Sequence, residues 1–177
     1  MKKISALLLA GVLTISMSAC AMLQPDEATS NMEHNEPNIT VGELRDGKIK
    51  TCSYNLVDLN CTIIDESGNE VYTGPVTDAS QTRDKIETGH TVYWFPKDNE
   101  NGFHTPNAGT AVSISFATNK KLSKTIGLTD GGGSSSSTEE NPSAILYTGS
   151  EDYWRAYMKN DSSETICVES GMITWNE

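Results

Sequence analysis

Few side chains in this chain are of a type and spacing that could do chemistry. Cys20, Cys52, Cys61 and Cys167 are its four cysteines, and His34, His90 and His104 its three histidines. Cys52, Cys61 and Cys167 lack C-x-x-C spacing and have no histidine beside them, which makes a poor zinc set. Nothing around Cys167 supports pairing it with His90 or His104 as nucleophile and base. The chain contains no G-x-S-x-G, H-E-x-x-H or Walker A pattern. The run Asp98-Asn99-Glu100-Asn101-Gly102 is rich in oxygen donors. The calcium-loop register that fits Asn99, Asn101 and Gly102, however, puts Lys97 at the first ligand position. An exposed turn is the simpler reading. The sequence therefore predicts no catalytic residue, no metal site and no cofactor.

The aromatic residues are the other candidates. They gather in Tyr93-Trp94-Phe95 and in Tyr153, Trp154 and Tyr157. Exposed rings on a β scaffold can stack on sugars or anchor a protein partner. Trp94, Trp154 and Tyr157 are accordingly the candidate binding aromatics, and the plainer alternative is that they build the core.

The elements that must position these groups read mostly as strands. Residues 49–57 are rich in β-formers, and Cys61-Thr62-Ile63-Ile64 follows. Asp65-Glu66-Ser67-Gly68-Asn69 then supplies turn chemistry before Glu70-Val71-Tyr72-Thr73, which predicts a hairpin. Residues 90–95 carry large groups on both faces and predict an inner strand. Residues 110–116 alternate, with Val112, Ile114 and Phe116 on one face and Ser113 and Ser115 on the other, so one face should be wet. Residues 122–128 and 144–147 read as further strands. The Gly/Ser-rich stretch 130–142 offers nothing to bury and predicts a flexible loop.

Over residues 150–160 the signals are helical. Ser150 can cap, Glu151 and Asp152 suit the first turn, and Tyr153, Trp154, Tyr157 and Met158 fall on one helical face. Residues 165–168 and 172–175 suggest a final hairpin around Ser170-Gly171. The expectation is a mainly β domain, a small sandwich or partly closed barrel with one short helix at about 150–160. An α+β arrangement is the alternative.

The chain has 177 residues and a formal charge of −11. That acidity argues against a nucleic-acid partner, which needs basic surface to displace counterions, and against docking on anionic headgroups by charge. Membrane attachment has a different source. Lys2 and Lys3 precede an apolar run, residues 4–15, that is of signal length and too short to span a bilayer. Ser18 and Ala19 then lead to Cys20, with Met17 where leucine is commoner. This resembles the bacterial lipoprotein signal, whose lipobox ends at the acylated cysteine.

The resemblance covers about the first 20 residues. It implies cleavage before Cys20, a diacylglycerol on its thiol and a further acyl chain, palmitate in class, on its new amine. Two or more acyl chains anchor stably, since each buried CH₂ contributes about 0.8 kcal/mol. Ala21, in place of the aspartate that retains such proteins at the inner membrane, implies the outer membrane. The alternative is a soluble periplasmic or secreted protein, because Ala19-Cys20-Ala21 is also an A-x-A cleavage site. On this reading residues 1–19 are signal peptide, 20–45 a lipidated disordered tether rich in polar residues and proline, and 46–177 a single β-rich domain.

With Cys20 lipidated, Cys52, Cys61 and Cys167 stand in an oxidising compartment as disulfide candidates. At most one bridge among them can form, either Cys52–Cys61 or one to Cys167. The function these features predict is that of a non-catalytic binding or accessory module for another cell-envelope component, most simply an envelope or surface protein. A carbohydrate-binding module that takes a glycan on exposed aromatics is the alternative, and an envelope hydrolase the second.

Overall fold

Strand alternation organises the molecule. In the computed structural model, residues 38–44, 47–76 and 85–177 are described. Residues 111–118 form a strand in which Val112, Ile114, Phe116 and Thr118 are buried and the residues between them face out. The predicted wet face is therefore present.

The described residues form fourteen strands: β1 (Asn38–Leu44), β2 (Gly47–Asn55), β3 (Leu59–Ile64), β4 (Glu70–Pro75), β5 (Lys85–Ile86), β6 (Thr91–Pro96), β7 (Phe103–His104), β8 (Ala111–Thr118), β9 (Lys124–Leu128), β10 (Ser134–Ser137), β11 (Ser143–Tyr147), β12 (Tyr153–Trp154), β13 (Ala156–Asn160) and β14 (Ile166–Asn176). A 3-10 turn, Leu56–Asp58, joins β2 to β3.

All of the pairings are antiparallel. The first sheet runs β1-β2-β14-β8-β11, with β5 also pairing β14. The second runs β10-β9-β13-β6-β3-β4, and β7 and β12 form a small ribbon. The sheets do not close into a barrel, and the mainly β class is as the sequence predicts; the architecture is consistent with a sandwich. The first sheet contributes Cys52, Val112, Ile114, Ile173 and Trp175 to the core. The second contributes Cys61, Ile63, Val92, Trp94, Ile126 and Met158. The rings of Trp94 and Phe116, 4.7 Å apart, join the two sheets.

Several predicted elements hold. The β3–β4 hairpin turns at Asp65–Asn69, where the Asp65 carboxylate accepts the Ser67 and Asn69 backbone N–H groups at 2.8 Å each. These bonds, led by the one from the Asn69 side chain, hold its pKa below the ordinary carboxylate value. Strand β6 is an inner strand between β13 and β3.

Four expectations are corrected. Residues 150–160 form no helix but β12 and β13, with Trp154, Ala156, Met158 and Asn160 all buried, which is a period of two. The cap and first-turn acids are local preferences of about 1 kcal/mol. Ladders to both β6 and β9 outweigh them. Secondly, the serine run is a strand, β10, paired to β9, because backbone pairing needs no apolar side chain. Thirdly, residues 166–176 are one bulged strand without a hairpin at Ser170-Gly171. Gly171 lies so close to the core that a Cβ there would stand 2.6 Å from Phe116 Cδ1. Lastly, β1 begins at Asn38, inside the segment assigned to the tether, because it pairs with β2 over its whole length. The signal peptide, Cys20 and the rest of the tether to residue 37 lie outside the described residues.

Candidate functional site

Two of the predicted binding aromatics belong to the core. Trp94 is 2% exposed and Trp154 fully buried. Trp154 joins Phe103, Trp175 and Tyr54 in a cluster of rings with centroids 4.7 to 5.7 Å apart. The cluster pins the β7–β12 ribbon to the first sheet, and burial of so much aromatic area explains why these rings face inward. Tyr157 alone of the three is partly open. It leans over Gly127 and lies 5.9 Å from Tyr93, whose hydroxyl pKa is raised by burial.

Among the described residues no bridge joins Cys52, Cys61 and Cys167 to one another. Cys52 lies on β2 of the first sheet and Cys61 on β3 of the second, both in the core, whereas Cys167 lies half-exposed on β14 beside β5. Burial raises the pKa of Cys52, which disfavours its thiolate.

Among the described residues, His90 closes the β5–β6 turn through its backbone, and exposed His104 packs on Tyr153. Asn99 spends its side-chain oxygen on the Asn101 N–H within the Asp98–Gly102 turn.

The buried polar groups are also committed to structure. Lys124 is fully buried, and its ammonium donates to the Thr118 hydroxyl and to the carbonyls of Lys120 and Glu139 at 2.6 to 3.3 Å. Burial lowers its pKa. Three donors meet three acceptors, so this lysine is a staple. Asn160 donates to the Ile86 and Glu164 carbonyls and accepts from Ser162. Asp130 accepts the Gly132 and Gly149 N–H groups. A cleft of about 360 Å³ lies beside the β3–β4 turn, lined by Asp65, Glu66, Thr91 and Lys159 among others. Asp65 is occupied by its own turn, and Lys159 stands 3.3 Å from Asp161.

The surface with groups to spare is the outer face of the first sheet. Its strands set Ile145, Ser113, Thr174 and Ser53 in one row across β11, β8, β14 and β2. Ser143, Ser115, Met172 and Asn55 form the next. Thr51 donates to Asn176 at 2.8 Å, and the Ser53 and Thr174 hydroxyls lie 3.0 Å apart. No side chain in these rows carries charge, although the chain is strongly acidic. Ile145, Tyr147 and Met172 are exposed by 66%, 60% and 45%, so apolar surface gathers toward β11. Sequence reading foresaw the wet serines of β8. It missed Ile145 and Tyr147, which point outward from β11 while Leu146 between them is buried.

Comparison of the chain with protein families, with curated proteins and with solved structures gave no match.

Proposed function

We propose that this protein is a non-catalytic outer-membrane lipoprotein, a binding or accessory module for another component of the cell envelope. The lipobox-like sequence ending at Cys20 supports the anchor. One observation carries the binding role. The outer face of the first sheet is uncharged over its rows and exposes Ile145, Tyr147 and Met172 on an otherwise acidic molecule. Apolar side chains exposed together, rimmed by hydroxyls, suit a protein contact better than a catalytic one.

The carbohydrate alternative needs ring faces open to solvent, and Trp94 and Trp154 are buried. Titration with a broad glycan panel should leave tryptophan fluorescence unchanged.

The anchor is tested by labelled palmitate, which should enter the wild-type chain and be absent from Cys20→Ser. The binding role is tested by crosslinking in intact envelopes followed by affinity capture. A specific envelope protein should be recovered with wild type and reduced severalfold with Met172→Glu on the outer face. Recovery of no specific protein would sink the reading.

A further inference from the structure

The uncharged face ends at β11, and that strand has one open side. The β8–β11 ladder fixes which backbone groups point where. Phe116 N–H donates to the Pro142 carbonyl and Thr148 N–H to the Thr110 carbonyl, each at 3.0 Å. In an antiparallel pair every second residue exchanges both bonds with its partner. Ala144 and Leu146 therefore bond β8, and the backbone groups of Ser143, Ile145 and Tyr147 point away from it. The Tyr147 carbonyl confirms this direction, since it accepts the Gly133 N–H at 3.2 Å. Ser143 and Ile145 have no backbone partner on that side among the described residues. An unpaired edge with exposed apolar side chains is a template for another strand.

The charges around this edge choose its occupant. Residues 143–147 are uncharged, while Glu139 and Glu140 precede them and Glu151 and Asp152 follow, all exposed. Lys121 stands 3.9 Å from Glu139 with both groups well exposed, which screens little. A second copy pairing antiparallel about Ile145 would set Glu139 against Glu151. Like charges so placed repel, so the edge disfavours self-association. It matches instead an extended segment whose middle is uncharged and whose ends are basic.

We propose that β11 is an acceptor edge to which an extended segment of a partner protein, apolar at alternate positions and carrying Lys or Arg at both ends, adds as a further strand of the first sheet. Backbone bonds to Ser143 and Ile145 give the register. Ile145 and Tyr147 meet the segment's apolar side chains, and the four flanking acids take its basic ends. Strand addition at sheet edges is a recurring mode of peptide recognition. This inference rests on the binding-module reading and names the partner's chemistry.

The test uses the full lipidated chain in detergent micelles and labelled nonapeptides with alternating valine and threonine in the middle. One peptide has lysines at both ends and a second has glutamates there. The lysine peptide should bind, with affinity falling as salt rises, and the glutamate peptide should bind at least about tenfold more weakly. Ile145→Pro removes an outward N–H and no bond to β8, so it should weaken the lysine peptide by about tenfold while melting close to wild type. Ile145→Lys keeps the backbone donor and opposes the basic ends, and should weaken the same peptide without unfolding the domain.

Equal binding of both peptides would overturn the proposal, as would lysine-peptide binding undiminished in both variants, or a wild-type chain whose protein moiety sediments as a dimer through this edge. Envelope capture separates the two readings. If Ile145→Pro and Ile145→Lys capture the same envelope protein as well as wild type does, the module stands and the edge falls. If wild type captures nothing specific, the module itself falls.

Discussion

The first sheet has two faces made by the same strands, and they differ in almost every property. Its inner face presents Cys52, Val112, Ile114, Ile173 and Trp175, each at most 4% exposed. Its outer face presents Ser53, Ser113, Thr174 and Asn176, and exposes large apolar groups at Ile145, Tyr147 and Met172. Neighbouring residues in one strand, such as Thr174 and Trp175, thus do different work. The inner residue packs and the outer one stays available. Because the side-chain period is two, a sheet can hold a fixed core while its other face varies in composition at little cost in stability.

The inner face depends most on Trp175, which stacks on Tyr54 and meets Phe103 and Trp154. Trp175→Ala should cost about 3–5 kcal/mol in urea unfolding, the usual range for truncating a buried aromatic. A loss below about 1 kcal/mol would mean that the ring cluster does not support the sheet.

The next effect lies in the polar exception on the buried side, Lys124. Lys124→Met takes the ammonium donor from the Thr118 hydroxyl and the Glu139 carbonyl, while the Lys120 carbonyl keeps the Leu122 N–H, and should cost about 2–3 kcal/mol. The pH dependence has a definite sign. The folded-state pKa of Lys124 is lowered by burial, so between that value and the unfolded value of about 10.4 the unfolded chain holds more protons. The contribution of Lys124 to stability should therefore rise with pH across this window. Subtracting the stability profile of Lys124→Met from that of wild type should reveal that slope, and a difference flat with pH would contradict it.

Gly171 sharpens the contrast at a single backbone position. A Cβ there would lie 2.6 to 2.9 Å from Phe116, Leu56 and the Ser115 carbonyl. Gly171→Ala should destabilise by about 1–3 kcal/mol through overpacking, read as a lower melting temperature with unchanged strand content by circular dichroism.

The smallest effect belongs to the outer face. Thr174→Ala removes a hydroxyl contact with Ser53 at a partly open site, and should shift stability by no more than about 0.5 kcal/mol. A larger loss would mean that the outer hydroxyl rows are structural.

The strands with clean alternation were readable from sequence. Val112, Ile114 and Phe116 declared their buried face, and Asp65 with Gly68 and Asn69 declared a turn. The failures share one cause. Tyr153, Trp154, Tyr157 and Met158 fit a helical stripe, yet the decisive residues were Ala156 and Asn160. Ala156 is small enough to suit either element, and Asn160 is buried only because Ile86, Ser162 and Glu164 satisfy its amide. The serines of β10 carried no pattern at all, since their pairing is made by backbone. The candidate surface was half legible. Ser113 and Ser115 announced a wet face, whereas the exposure of Ile145 and Tyr147 depends on which face of β11 the pairing with β8 turns outward.

By itself the sequence determined the β class, the alternating faces and the acidity, because composition, period-two patterning and turn chemistry are properties of consecutive residues. It also carries the lipobox-like run ending at Cys20. The tertiary structure alone decided that Trp94 and Trp154 are core, that Cys52 and Cys61 are buried on different sheets, and that β11 ends its sheet. These depend on which distant strands pair and pack, and that choice is made by long-range ladders and burial, which outweigh local preferences of about 1 kcal/mol.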